Sequence, residues 1–140
     1  MTRKLMPDIV HDQEPVTLEP TASVLDACKR MRDRSVGAVL VTDSAGKLVG
    51  IFTGRDAVAR VLAEGRDAGR TALADVMTRD PATMPPGMTA IEALRLMQDG
   101  GFRHVPIVDR GKVVGIVSRR DFRGMEQARL DEETGLWERI

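Results

Sequence analysis

Cysteine occurs once in these 140 residues, at Cys28, so no internal disulfide can staple the fold, and a packed apolar core must hold it together. Tyrosine is missing and aromatics amount to 3%, too few to build the stacking platforms on which single-stranded nucleic acid is bound. Neither sign of charge prevails: 21 basic residues face 21 acidic ones, so no global field steers the chain toward nucleic acid or an anionic membrane, and any anion site must be local. No stretch approaches the roughly 20 apolar residues of a membrane span, and the opening MTRKLMPDIVHDQEP lacks the apolar centre of a signal peptide. A cytoplasmic protein is the expectation. Metal-ligand patterns such as CxxC and HExxH are missing, and Cys28, His11 and His104 stand at no ligand spacing.

What the chain does have is a repetition. Residues 36–56, VGAVLVTDSAGKLVGIFTGRD, return at 102–121 as FRHVPIVDRGKVVGIVSRRD. Both copies close on a glycine, two apolar residues, a hydroxyl residue and, three positions later, an aspartate: Gly50 to Thr53 and Asp56, then Gly115 to Ser118 and Asp121. The length suits one core and not two, so the copies are expected to cover each other's apolar faces, with the seam as the natural ligand site.

Each copy reads as strand, helix, strand, strand, helix. In the first, an extended piece around Val16 and Thr17 precedes a helix opened by Ser23-Val24-Leu25-Asp26, which has the form of a capping box. Ala38–Thr42 and Leu48–Phe52 form a hairpin across Asp43, Ser44 and Gly46, and helical spacing resumes at Ala57, Val58, Val61 and Leu62. The polar, glycine-containing stretch 65–70 is the joint. The second copy starts near Pro81–Met84, has Thr89-Ala90-Ile91-Glu92 as its capping box, and places strands at Val105–Val108 and Lys112–Val117. Pro106 argues that its strand lies near an edge or turns that nitrogen away from the ladder. The division is residues 1–70 for the first repeat with its preceding segment and linker, 71–125 for the second, and 126–140 for a tail. Leu130, Leu136, Trp137 and Ile140 give that tail an amphipathic pattern.

These residues resemble a pair of CBS domains, the tandem arrangement called a Bateman module, in its stand-alone bacterial form. The resemblance spans about residues 8–125. It is carried by the capped Ser23 and Thr89 helices, Val36-Gly37-Ala38, the run Arg103 to Asp109, Asp75-Val76-Met77-Thr78 at the joint, and both glycine-to-aspartate phrases. It implies an α+β fold of two β-α-β-β-α repeats related by a pseudo-twofold axis and packed through their sheets. It also implies a regulatory role, a homodimer of modules, an effector protein as partner, and an adenosine-containing ligand: AMP, ADP or ATP, with NADH and S-adenosylmethionine as further members of that class. No cofactor is required, and neither nucleic acid nor membrane is implied.

Carried over residue by residue, the resemblance places one site at Val16, Val36, Gly37 and Ala38, which would line the base, with Arg103, His104, Ser118 and Asp121 holding phosphate and ribose; Arg120, like Arg55 and Arg119 at a helix start, either helps to hold phosphate or faces water. A second, weaker site joins Thr53 and Asp56 to Met77, Ala82, Phe102 and Arg103. Gly37 and Ala38 stand there where the first site has Arg103 and His104, so phosphate is expected to be held less well. A carboxylate in this setting can accept both ribose hydroxyls, while a Thr or Ser hydroxyl opening a helix faces phosphate. Thr53-x-x-Asp56 and Ser118-x-x-Asp121 equally fit capping boxes, which need no ligand. His104 likewise reads either as a structural histidine or as a ligand contact. Ser118, His104 and Asp121 are the residue types of a hydrolytic triad, but no glycine-flanked nucleophile elbow accompanies them, so catalysis is not expected. The competing reading is a dimerisation and docking module that senses nothing.

Overall fold

The computed structural model describes residues 3–10 and 14–122; His11 and the tail at 126–140 lie outside it. Strands β1 (Thr17–Leu18), β2 (Ala38–Thr42), β3 (Leu48–Thr53) and β4 (Thr78–Arg79) form a sheet in that order. β1 runs parallel to β2, and the other neighbours are antiparallel. The second repeat answers with β5 (His104–Asp109) and β6 (Lys112–Ser118), again antiparallel. Where β1 would recur there is a single parallel bridge from Met84 to Ile107.

The helices start where their hydroxyl residues stand. α1 (Val24–Arg34) is opened by Ser23, whose Oγ accepts from the Asp26 main-chain N–H at 3.0 Å. Asp26 does not reciprocate, so the expected box is half made. At α4 (Ala90–Gly100) both halves exist: Thr89 Oγ1 accepts from Glu92, and Glu92 accepts from Thr89. Both helices end on a left-handed residue, Ser35 (φ 53°) and Gly101 (φ 71°), the conformation that lets the last carbonyls be satisfied. α2 (Gly54–Asp56) continues directly into a wider helical segment, Ala57–Leu62, and α3 (Leu73–Val76) is a single turn. After β6 the chain makes a 3-10 turn, Arg119–Phe122, at the place where a helix is expected. Pro106 pairs with Ile116, and its carbonyl accepts from Met84 on the opposite edge. Its nitrogen therefore faces away from β6, as the proline requires.

Two cores result, one per repeat. The first gathers Val24, Ala27, Met31, Val39, Val41, Phe52, Leu73 and Val76. The second gathers Leu5, Val10, Ala90, Ala93, Met97, Val105, Ile107, Val117 and Phe122. Each fully buried Val, Leu, Ile, Met or Phe side chain contributes about 1.5–3 kcal/mol. The opening segments are exchanged between them. Leu73, from the chain leading into the second repeat, fills the first core; Leu5, from the chain leading into the first, fills the second. The hydrogen bonds match: Leu73 N–H donates to Ala22 and Val24 N–H to Thr71, while Leu5 N–H donates to Met88 and Ala90 N–H to Arg3. The sheets meet through Ala38, Leu40 and Ile51 against Val113 and Ile116.

Candidate functional site: two cavities on the seam

Two cavities open where the repeats meet. The first, about 450 Å³, is lined by Val36, Gly37, Ala38, Arg103, His104, Ile116, Ser118, Arg119, Arg120 and Asp121. The second, about 570 Å³, is lined by Thr53, Asp56, Ala82, Phe102, Gly37, Arg103 and His104, with Ile51, Gly54, Arg55, Thr78, Pro81 and Gly101. Of the proposed site residues, Val36, Ala38, Ser118, Arg120 and Asp121 line the first cavity, Thr53, Asp56, Ala82 and Phe102 the second, and Gly37, Arg103 and His104 both, while two line neither. Val16 is buried in the first core, its carbonyl accepting from Leu40, and is not part of the cavity lining. Met77 is also a core residue; it packs against Gly50, and its chain neighbour Thr78, not Met77 itself, lines the cavity.

Strand ends and helix starts place the polar groups. Ser118, the last residue of β6, donates its main-chain N–H to Asp121 Oδ2 at 2.7 Å and its hydroxyl to the same oxygen at 3.3 Å. Thr53, ending β3, repeats this toward Asp56 Oδ2 at 3.0 and 3.2 Å, and Asp56 N–H returns a bond to Thr53 Oγ1. Capping is therefore present at both aspartates, using one carboxylate oxygen and leaving the other. Their surroundings then differ. Asp56 is buried, at 9% exposure, and its Oδ1 faces the Thr78 hydroxyl (3.5 Å) and the Arg60 guanidinium (3.7 Å). Asp121 is exposed on the cavity edge. The Ser118 hydroxyl is directed at Asp121 rather than at His104, which is not the relay a hydrolytic serine needs.

The cationic wall corrects one expectation. Arg103 lines both cavities, and His104, expected in the first alone, lines both as well. His104 is half-buried and lies against Gly37, where an added Cβ would come within 3.2 Å of Nε2. Burial pushes the imidazole below its ordinary pKa; the Asp121 carboxylate opposes this, while Arg120 and Arg103 push in the same direction as burial. The cavity with the expected weaker site is also the roomier one. Ile51 and Ile116 were missed as lining residues although they occupy equivalent places in the two phrases, so the repetition itself carried the signal.

Two matches to the CBS domain model cover residues 8–63 and 73–125. The chain belongs to the CBS domain family. The CBS domain-containing protein CBSCBSPB2 of Arabidopsis thaliana is 44% identical over 102 residues, 73% of this chain and 19% of that one. This chain thus spans about a fifth of the length of that relative. The CBS domain-containing protein YhcV of Bacillus subtilis is 36% identical over 105 residues, covering 75% of this chain and 74% of YhcV. Among solved structures, a protein with CBS domains from Burkholderia ambifaria superposes with a TM-score of 0.81 at 28% identity, covering 91% of this chain and 95% of that one. A CBS domain protein of Pyrobaculum aerophilum, solved in complex with AMP, has the same fold, with a TM-score of 0.73 at 24% identity over 80% of this chain and 86% of that one. CBS pairs are in general regulatory, non-catalytic modules. No helix among the described residues is long and apolar enough to cross a membrane, and these residues hold no cluster of three metal-ligating side chains.

Proposed function

We propose that this CBS pair is a cytoplasmic regulatory module that binds an adenine nucleotide on the seam between its repeats and passes the occupancy to an effector protein, sensing energy or metabolite state. The reading rests on one observation above others: an exposed carboxylate, Asp121, and a group of cations, Arg103, Arg119 and Arg120, share the wall of one cavity with the apolar edge Val36 to Ala38. That is the donor and acceptor set for a base, a ribose and a phosphate taken in order. The AMP held by the Pyrobaculum protein of the same fold supports this ligand class. The second cavity, whose aspartate is already engaged by Arg60 and Thr78, suits a weaker or less charged occupant.

A homodimer goes with this reading. Leu25 and Ile91, equivalent positions on α1 and α4, are 41% and 48% exposed, and Val58 and Leu62 lie open as well, which is apolar surface for a second copy. The same surface favours the rival reading, a dimerisation module with no ligand. Thermal melting with AMP, ADP, ATP, NADH and S-adenosylmethionine separates the two, because a ligand at 100 times its Kd stabilises by about 2.7 kcal/mol. A shift with a nucleotide is expected. Five flat traces leave the interaction module as the function.

A further inference from the structure

The pseudo-twofold axis pairs residue 37 with 103 and 38 with 104, so a symmetric module would bring a cation to each cavity from its own repeat. This chain does not. Gly37 and Ala38 bring none, and Arg103 and His104 occupy the wall of both cavities, the imidazole filling the space that a side chain at Gly37 would take. Of the other guanidiniums, Arg55 in the second cavity is already directed at the Gly101 carbonyl (3.4 Å), and Arg120 in the first at the Ser35 carbonyl (3.0 Å). Arg119 lines only the first. One guanidinium and one imidazole thus form a common wall, with further cations weighted toward the first cavity.

The geometry points to mutual exclusion of charge. The two cavities compete for one phosphate grip, Arg103 and His104, which serves the Asp121 side first, and a phosphate there makes the second cavity prefer an adenosine compound whose tail is uncharged or cationic. This rests on the nucleotide reading above and goes beyond it, because it makes each cavity's preference depend on the other's occupant. A phosphate bound first draws the shared guanidinium to itself and adds negative charge beside the second cavity; reciprocity then requires the second occupant to weaken the first equally.

Calorimetric titration with AMP tests it. In the unaltered chain a tight event is followed by a second at least about tenfold weaker, the order expected for the loss of one charge-assisted hydrogen bond. Asp121→Ala, which weakens the first cavity by about tenfold or more, should make the second a better AMP site, on the order of tenfold tighter than the second event of the unaltered chain. Arg103→Gln, at an exposed position, should remove that gain when added to Asp121→Ala; His104→Gln is the second route to the same wall. Equal AMP sites in the unaltered chain, an unimproved site in Asp121→Ala, or no AMP site left in that variant would each overturn the exclusion while leaving the nucleotide reading standing. No AMP binding to the unaltered chain would overturn both.

Discussion

Arg120 reaches across the seam and donates from Nη2 to the main-chain carbonyl of Ser35, 3.0 Å away and 85 residues earlier. Ser35 is the residue that ends α1, so the guanidinium sits where the helix dipole leaves partial negative charge. The arrangement is repeated by the equivalent pair: Arg55 donates to the carbonyl of Gly101, which ends α4, at 3.4 Å. Each arginine stands immediately before a motif aspartate and braces its repeat against α1 or α4 of the other.

Removing either arginine should therefore loosen the seam. Arg120→Ala is expected to cost about 0.5–1.5 kcal/mol, the worth of a solvent-accessible hydrogen bond, and Arg55→Ala less because its bond is longer. Equilibrium denaturation of the two single variants and the double variant checks this. The losses should add, since the two bonds share no partner.

The two motif aspartates should separate in their effects. Asp121→Ala is expected to cost about 1.5–3 kcal/mol of nucleotide affinity, the range for hydrogen bonds to a charged group, with folding largely intact. Asp56 is buried and joined to Thr53, Thr78 and Arg60, so Asp56→Ala should cost about 1–3 kcal/mol of stability through the polar partners left behind. Melting curves and binding isotherms on both variants would reverse this assignment if Asp121→Ala proved the less stable protein.

Gly50 has to be glycine because Met77 lies over it: a Cβ there would come within 2.9 Å of Met77 Cγ and closer still to the sulfur. Gly50→Ala should destabilise by about 1–3 kcal/mol as overpacking. The same change in a Met77→Ala background should cost much less. An equal cost in both backgrounds, read by denaturant unfolding, would locate the strain elsewhere.

His104 gives the stability a pH dependence. Its folded pKa lies below the ordinary 6.5, chiefly through burial, so as pH falls through 6.5 the unfolded chain takes up a proton that the folded chain resists. Its contribution is complete above 6.5 and is lost below it, toward the depressed folded value. Melting temperature should fall on acidification across that window, and His104→Gln should fall less. A bound phosphate should counteract the loss by favouring the imidazolium.

The repeat phrases located most of the site without coordinates, because hydroxyl, helix start and aspartate lie within four residues of one another and their geometry is local. Ser118 with Asp121 and Thr53 with Asp56 are of this kind. Val16 and Met77 were misplaced for the opposite reason: an apolar residue beside a cavity and one beneath it carry the same pattern, and only packing distinguishes them.

The sequence by itself determined the elements, their caps, the turn positions and the duplication, since each depends on residues within a few positions of one another. Tertiary structure decided what depends on residues distant in the chain: that Leu5 completes the second core and Leu73 the first, that Arg55 and Arg120 cross to opposite helices, and that His104 joins Arg103 in serving two cavities. The physical reason is that two like repeats offer each segment two similar apolar faces, and which one it covers is settled by the geometry of packing around the axis between them.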